Sequence, residues 1–345
     1  MEALETAWKR AAGKNRVLEF MDIVISGFAQ IVFNAHPVTG LVLIATALVV
    51  SPIQGVSGLV AAAVATVLVY VTGVPMGQAR EGLYTINAAL YGLAIPMVSN
   101  VLDPSRIPQI MLLSVVGAVL CFFVTAGLRR VCSAYGISPL AVPYSLTLAL
   151  VAAALCYTSS LDSSPLFTPA VAEMVASGDA VWDVRDMATA VLNGLGQIIW
   201  MEDVPLAPLS GVLVLAGIAC ASRIDALMAA LSCVLATLAA VALGIGQGGI
   251  MLGLYGYNAA LLSMVCFGRA FKMSVRSWAL TVMLSVSTVF LCAGLKPLMG
   301  LLAAPVAAFP FALTGILLML GSKFFSKLEY VEPKDWTTPE RSRGC

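Results

Sequence analysis

Residues 82–90 read Gly82-Leu83-Tyr84-Thr85-Ile86-Asn87-Ala88-Ala89-Leu90, and the pattern returns at 253–261 as Gly253-Leu254-Tyr255-Gly256-Tyr257-Asn258-Ala259-Ala260-Leu261. Outward from this pair the matching continues. Gln30-Ile31-Val32-Phe33 returns as Gln197-Ile198-Ile199-Trp200, and Pro37-Val38-Thr39-Gly40 as Pro208-Leu209-Ser210-Gly211. Ala141-Val142-Pro143-Tyr144 returns as Ala308-Phe309-Pro310-Phe311. The blocks keep one order, and Gln30 to Pro143 covers 113 residues, as does Gln197 to Pro310. Any one match is weak; four in register make the chain two copies of one unit.

The sequence between the blocks says where such a unit lives. Of 345 residues, 60% are hydrophobic and 11% charged, against about 45–50% and about 25% in soluble domains. A membrane-spanning helix needs about 20 apolar residues, so the composition allows about ten spans. The runs are apolar all round rather than alternating, which argues against a transmembrane barrel. A net charge of +1 with no dominant basic patch excludes a nucleic-acid binder. The eight cysteines form no CxxC pair; seven lie in or beside apolar runs and read as small buried hydrophobes. His36 is the single histidine, which argues against a multi-histidine metal site. No nucleophile–base or metal constellation appears, so neither enzyme chemistry nor a cofactor is expected.

Apolar runs bounded by charges and Pro/Gly breaks give five crossings in each half: 40–50, 55–71, 82–98, 107–128 and 139–157, then 209–221, 226–243, 249–267, 278–295 and 301–320. The runs 23–33 and 188–200 are too short to cross about 30 Å at about 1.5 Å per residue and read as re-entrant pore helices. The expected fold is an all-α polytopic membrane protein of two inverted repeats, each with five transmembrane helices and one re-entrant helix. Its divisions are a cytoplasmic segment 1–18, a first repeat 19–158, an extracytoplasmic acidic linker 159–187, a second repeat 188–321 and an exposed cytoplasmic tail 322–345. With both termini inside, only Arg106, Arg185 and Lys296 of the 19 Lys and Arg fall outside, as the positive-inside rule requires.

Five crossings per unit invert the second copy, and inverted repeats place a substrate path at their interface, lined by discontinuous helices. Gln30 and Gln197 are candidates to line it, each adding an amide donor and acceptor to replace water around a polar solute; helix capping is the other reading. Phe33 and Trp200, three residues on, fall about one helical turn along the same face. Ile86 with Leu90, and Tyr257 with Leu261, stand at i and i+4. Together these make two apolar slots for a planar solute, one near each mouth, or ordinary core packing. Asn87 and Asn258 read as hydrogen-bond partners of a neighbouring broken helix. Glu202 and Asp203 read as the only acids in either short segment, serving an intramembrane function or standing at a solvated pore mouth. No full span carries a charge near its centre, which favours passive conduction of a neutral solute over ion coupling.

These blocks, above all the paired Gln-containing segment and the paired Gly-Leu-Tyr-x-x-Asn segment, resemble the urea transporter family across about residues 19–322. The resemblance implies two inverted five-helix repeats, a homotrimer with one pore per subunit in membrane lipid, and channel-like passage of urea hydrogen-bonded to a row of oxygens. It carries Gln30 and Gln197 to the pore-helix polar positions, Phe33 and Trp200 to the aromatic slots, and Ile86, Leu90, Tyr257 and Leu261 to the slot walls. Four departures stand out, one of them Ile86 at a slot position of Tyr/Phe type. Ala141 and Ala308 occupy the pore-centre positions where the family carries Thr in a Thr-x-Pro-Phe block. Ala35-His36 replaces Asn-Asn, and the second pore helix reads as carrying an insertion, since Gln197 to Gly211 is longer than Gln30 to Gly40. The leading expectation is a passive urea channel of a bacterial-type inner (plasma) membrane. The alternatives are a same-fold channel for ammonia, water or a short amide, and an ion-coupled transporter using Glu202 or Asp203.

Overall fold

The computed structural model describes residues 2–98, 106–158, 182–201 and 206–342. The first half runs α1 (Glu2–Ala12), α2 (Arg16–Ala29), α3 (Pro37–Val50), α4 (Pro52–Thr72), α5 (Met76–Arg80), α6 (Ile86–Val98), α7 (Ile107–Ala134) and α8 (Val142–Thr158). The second runs α9 (Val184–Gly196), α10 (Ala207–Ala221), α11 (Arg223–Ala242), α12 (Gln247–Met251), α13 (Gly256–Cys266), α14 (Val275–Gly300) and α15 (Phe309–Gly321), with a short α16 (Pro339–Ser342) in the tail. The order from α2 to α8 is the order from α9 to α15. Among the described residues β pairing is confined to isolated bridges at Phe271.

The sequence repeat is also a backbone repeat. Both α2 and α9 tighten into a 3-10 turn, Gln30–Val32 and Gln197–Ile199, and stop at a left-handed residue, Phe33 at φ 59° and Trp200 at φ 63°. Prolines open α3, α4, α10 and α15, where a missing N–H costs nothing and the fixed φ suits the first turn. Gly82 and Gly253 both sit at φ 77°, and a Cβ on either would lie 2.4 Å or less from the backbone of α2 or α9. Gly40 and Gly211 approach the Ile25 and Leu192 carbonyls so closely that a Cβ would sit 2.2 and 1.9 Å from those oxygens. These glycines let helices of one unit touch backbone to backbone.

By length and composition alone, fewer helices qualify as spans than the ten crossings read from the apolar runs. Among the described residues four helices are alone long and apolar enough to cross a membrane, α4, α7, α11 and α14, and α2 with α3, bent by 84°, makes a fifth as a pair. The expected spans 82–98 and 249–267 are interrupted, because the left-handed Gly82 and Gly253 separate α5 from α6 and α12 from α13. At 13 residues α6 rises only about 20 Å. The expected span 301–320 is helical only from Phe309, since α14 runs on to Gly300. Short apolar helices are thus not confined to the glutamine segments. The long helices face outward: Leu112, Leu227 and Met283 are 63–67% exposed, a surface suited to lipid rather than water.

Three further expectations change. The runs 23–33 and 188–200 are the ends of longer helices, which begin at Arg16 and Val184. Charge interrupts an apolar run without interrupting a helix, so Glu19 and Asp22 lie inside α2 and Asp186 inside α9. Asp22 sits mid-helix, fully buried, and is held by Lys9 at 3.0 Å and the Trp8 indole N–H at 2.8 Å. Asp225 in the first turn of α11 pairs in the same way with buried Arg269 at 2.6 Å. The extra residues of the second unit fall between Trp200 and Pro208, a stretch of which 202–205 lie outside the described residues. Finally, the tail is not a free exposed segment. It docks back: the Val331 N–H donates to the Ala270 carbonyl, the Lys272 N–H to the Glu329 carbonyl, and the Tyr330 hydroxyl to the Gly136 carbonyl.

Candidate functional site

Side chains from both halves meet along the junction between them. Thr39 of α3 donates to the Gly217 carbonyl of α10 at 2.8 Å. Gln54 of α4 donates at 2.7 Å to the carbonyl of Trp200, fixing the left-handed residue of the opposite half. The Phe33 ring packs 5.6 Å from that of Phe311. Three cavities follow one another along this junction.

The first, of about 370 Å³, is lined by Gln30, Phe33 and Ile86 at its floor and by Gln78, Glu81 and Arg129 on its sides. The second, of about 20 Å³, shares Phe33, Ile86 and Leu140 with the first. Its other walls include Leu90, Ala141, Tyr144, Leu261, Ala308 and Phe311. The third, of about 50 Å³, shares Tyr257 with the second and is lined by Gln197, Trp200, Tyr255 and Lys296. A water needs about 10–15 Å³ measured in this way, so the centre is a constriction that admits one small molecule.

Each predicted site residue among the described ones lines one of these cavities. Gln30 and Phe33 face the wide cavity, and Gln197 and Trp200 the narrow far one. They do so for a reason other than helical periodicity, because the chain leaves the helix at Phe33 and at Trp200. Ile86, Leu90, Tyr257, Leu261, Ala141 and Ala308 all meet in the central constriction. Glu202 and Asp203 lie outside the described residues. Among the described residues no charged side chain lines the centre.

The asparagines work as helix partners. The first N–H groups of any helix lack an internal acceptor. The Asn87 side-chain oxygen accepts from the Tyr144 N–H at 3.3 Å, and the Asn258 oxygen from the Phe311 N–H at 3.1 Å. This seats the opening turns of α8 and α15, and with them Ala141 and Ala308, at the middle of the path.

Sequence reasoning overlooked Tyr144 as a site residue. It stands third in the Ala-Val-Pro-Tyr block after Ala141 and lines the constriction as a buried residue. It brings a hydroxyl-bearing side chain to the wall that Ala141 and Ala308, which carry none, also line. Its counterpart Phe311 carries none, while Tyr257 donates its hydroxyl to the Ala307 carbonyl. The signal was present in the repeat, as the aromatic at the end of each block. Gln54 was also missed, having no counterpart motif: its repeat position holds Asp225.

Comparison with known proteins follows from this geometry. A family model described as "Urea transporter" matches residues 21–323. Urea transporter 1 of Ovis aries is 23% identical over 338 residues, covering 96% of this chain and 84% of that protein. Urea transporter 1 of Mus musculus is 24% identical over 309 residues, covering 88% of this chain and 77% of that protein.

Proposed function

The chain belongs to the urea transporter family, a family of membrane transport proteins and not of enzymes, and on that premise we propose that it passes urea passively across the membrane through the three cavities in series. The observation that carries this reading is the central constriction, uncharged and walled by both halves, with an aromatic and a glutamine on each side. Urea is flat, neutral and rich in hydrogen-bonding groups. Gln30 meets it in the wide cavity while it keeps much of its water. Phe33, Ile86 and Leu90 offer flat apolar walls as that water is shed, and Tyr257 and Leu261 do the same from the other half.

Stripping water from a polar molecule costs several kcal/mol unless new partners replace it. The Tyr144 hydroxyl is the partner at the centre and the Gln197 amide the partner beyond it. The absence of charge there removes the handle an ion-coupled cycle uses. The matching halves support inverted repeats, and the clustering of basic loops beside the tail supports cytoplasmic termini. The homotrimer rests on the family resemblance.

Stopped-flow light scattering on proteoliposomes tests the reading. Urea permeability should exceed that of empty liposomes and persist when proton and sodium gradients are dissipated. Permeability equal to empty liposomes ends the proposal. A second reading, passage of ammonia or water in preference to urea, is favoured by the size of the constriction and by the methyl groups of Ala141 and Ala308. The same vesicles decide it by the ratio of the three permeabilities.

A further inference from the structure

The wide cavity has a wall that does not come from either repeat. Glu332, Pro333, Lys334 and Trp336 of the tail line it together with Gln30 and Phe33. This segment is fastened at several points. Backbone bonds to Ala270 and Lys272 and the Tyr330 bond to Gly136 hold it to the body, and within the segment itself the Trp336 indole N–H donates to the Val331 carbonyl at 3.0 Å. At the far end the Glu340 carboxylate accepts from the Ile224 N–H at 2.9 Å, at the start of α11, where an anion is favoured by the free N–H groups. Pro339 packs against Gly268, leaving no room for a Cβ there. The tail thus bridges Gly136 of the first half and Ile224 of the second, across the mouth.

The charges of that mouth are balanced. Glu81 and Glu332 line it with Arg129 and Lys334, two acids against two bases, and Glu332 pairs with Lys334 at 3.0 Å. A cleft of one sign concentrates counter-ions; a balanced one gathers a neutral dipolar solute without enriching either ion.

We propose that the docked segment 322–342 is a fixed wall of the permeation path, and that Trp336 with the Glu332–Lys334 pair determines what reaches Gln30 and Phe33. The inference rests on the channel reading above. It differs from a structural clamp in one respect: bulk added at Trp336 must obstruct passage while the fold stays intact.

The test is Trp336→Cys in proteoliposomes, with urea flux measured before and after a membrane-permeant bulky maleimide, labelling confirmed by mass. The otherwise unchanged chain, with its native cysteines, takes the same reagent. Flux through the labelled variant should fall about fivefold or more, as expected when a passage is narrowed sterically, and flux through the parent should not change. Equal flux in labelled and unlabelled Trp336→Cys overturns the inference and leaves the channel reading standing. If the parent passes no urea, the channel reading fails by itself. Trypsin then judges the docking: slow cleavage at Lys334 and Arg341 in membranes supports the wall, and cleavage as fast as in denatured chain overturns it.

Discussion

Gln30 and Gln197 occupy the same point of the same backbone motif, yet they face different spaces. Each ends a helix in a 3-10 turn followed by a left-handed aromatic. Gln30 and Phe33 are partly exposed in a cavity of about 370 Å³, whereas Gln197 and Trp200 are buried beside one of about 50 Å³. The motif does not set the environment. Around Gln30 the walls are α5, the start of α6, the end of α7, the turn at 136–140 and the tail; around Gln197 they include the last turns of α14, with Lys296, and Tyr255. A duplicated unit keeps its internal contacts, because those lie within one copy. What surrounds each copy is free to diverge.

If internal contacts are what the halves share, breaking them should be equally severe on both sides. Gly40→Ala and Gly211→Ala each force a Cβ against a fixed carbonyl, and overpacking of that kind costs about 3 kcal/mol or more. Each should abolish the monodisperse folded species in size-exclusion chromatography; loss in one half only would break the equivalence. Asn87→Ala and Asn258→Ala each strand a buried N–H, at about 1–3 kcal/mol, and should lower the melting temperature by similar amounts.

The environments, by contrast, should separate the halves. Gln197→Leu removes a partner where little water can replace it and should cut urea flux about tenfold, the value of one hydrogen bond of about 1.4 kcal/mol. Gln30→Leu, in the wide cavity, should cost about twofold or less, since water substitutes for the amide there. Equal losses would show that the two mouths are alike in solution. Tyr144→Phe should reduce flux several-fold without a matching fall in stability, while the counterpart Phe311→Tyr should not.

The smallest effect concerns the tail and pH. Burial raises the Glu340 pKa, but the bonds from the Ile224 backbone and the Ser222 hydroxyl outweigh it and hold the carboxyl below its ordinary range. A carboxylate depressed in the folded state adds stability above its unfolded value and loses it as pH falls through the folded value. Acidification below the usual carboxylate range should therefore loosen this anchor, by about 1 kcal/mol or less for a partly exposed group, and Glu340→Gln should abolish that response. Burial and the nearby Glu332 carboxylate push Tyr330 up to about 12, so the second anchor keeps its proton and stays in place. Trypsin sensitivity of the tail against pH, in both variants, reads this out.

The doubled blocks, the apolar composition and the scarcity of charge were enough to read an all-α membrane protein of two related halves, and the repeated motifs named seven of the twelve residues around the central cavity. Both depend on residue type and spacing, which a sequence displays directly. Tyr144 could be read only as the end of a block, because its place in the central cavity is set beside residues of the other half such as Ala308. The role of Asn87 and Asn258 was legible, since orphan N–H groups at a helix start call for such a partner.

Where helices end, what pairs with Asp22, and how the tail lies were decided by the tertiary structure alone. A run of apolar letters stops at a charge, but a helix continues when Lys9 and Trp8 arrive from elsewhere to neutralise it. A charged tail reads as solvated until Ala270, Gly136 and Ile224 offer it partners far away in sequence. Local pattern therefore determined the kind of fold and part of the central cavity's lining; long-range partners determined how wide each cavity is and that tail residues line the widest.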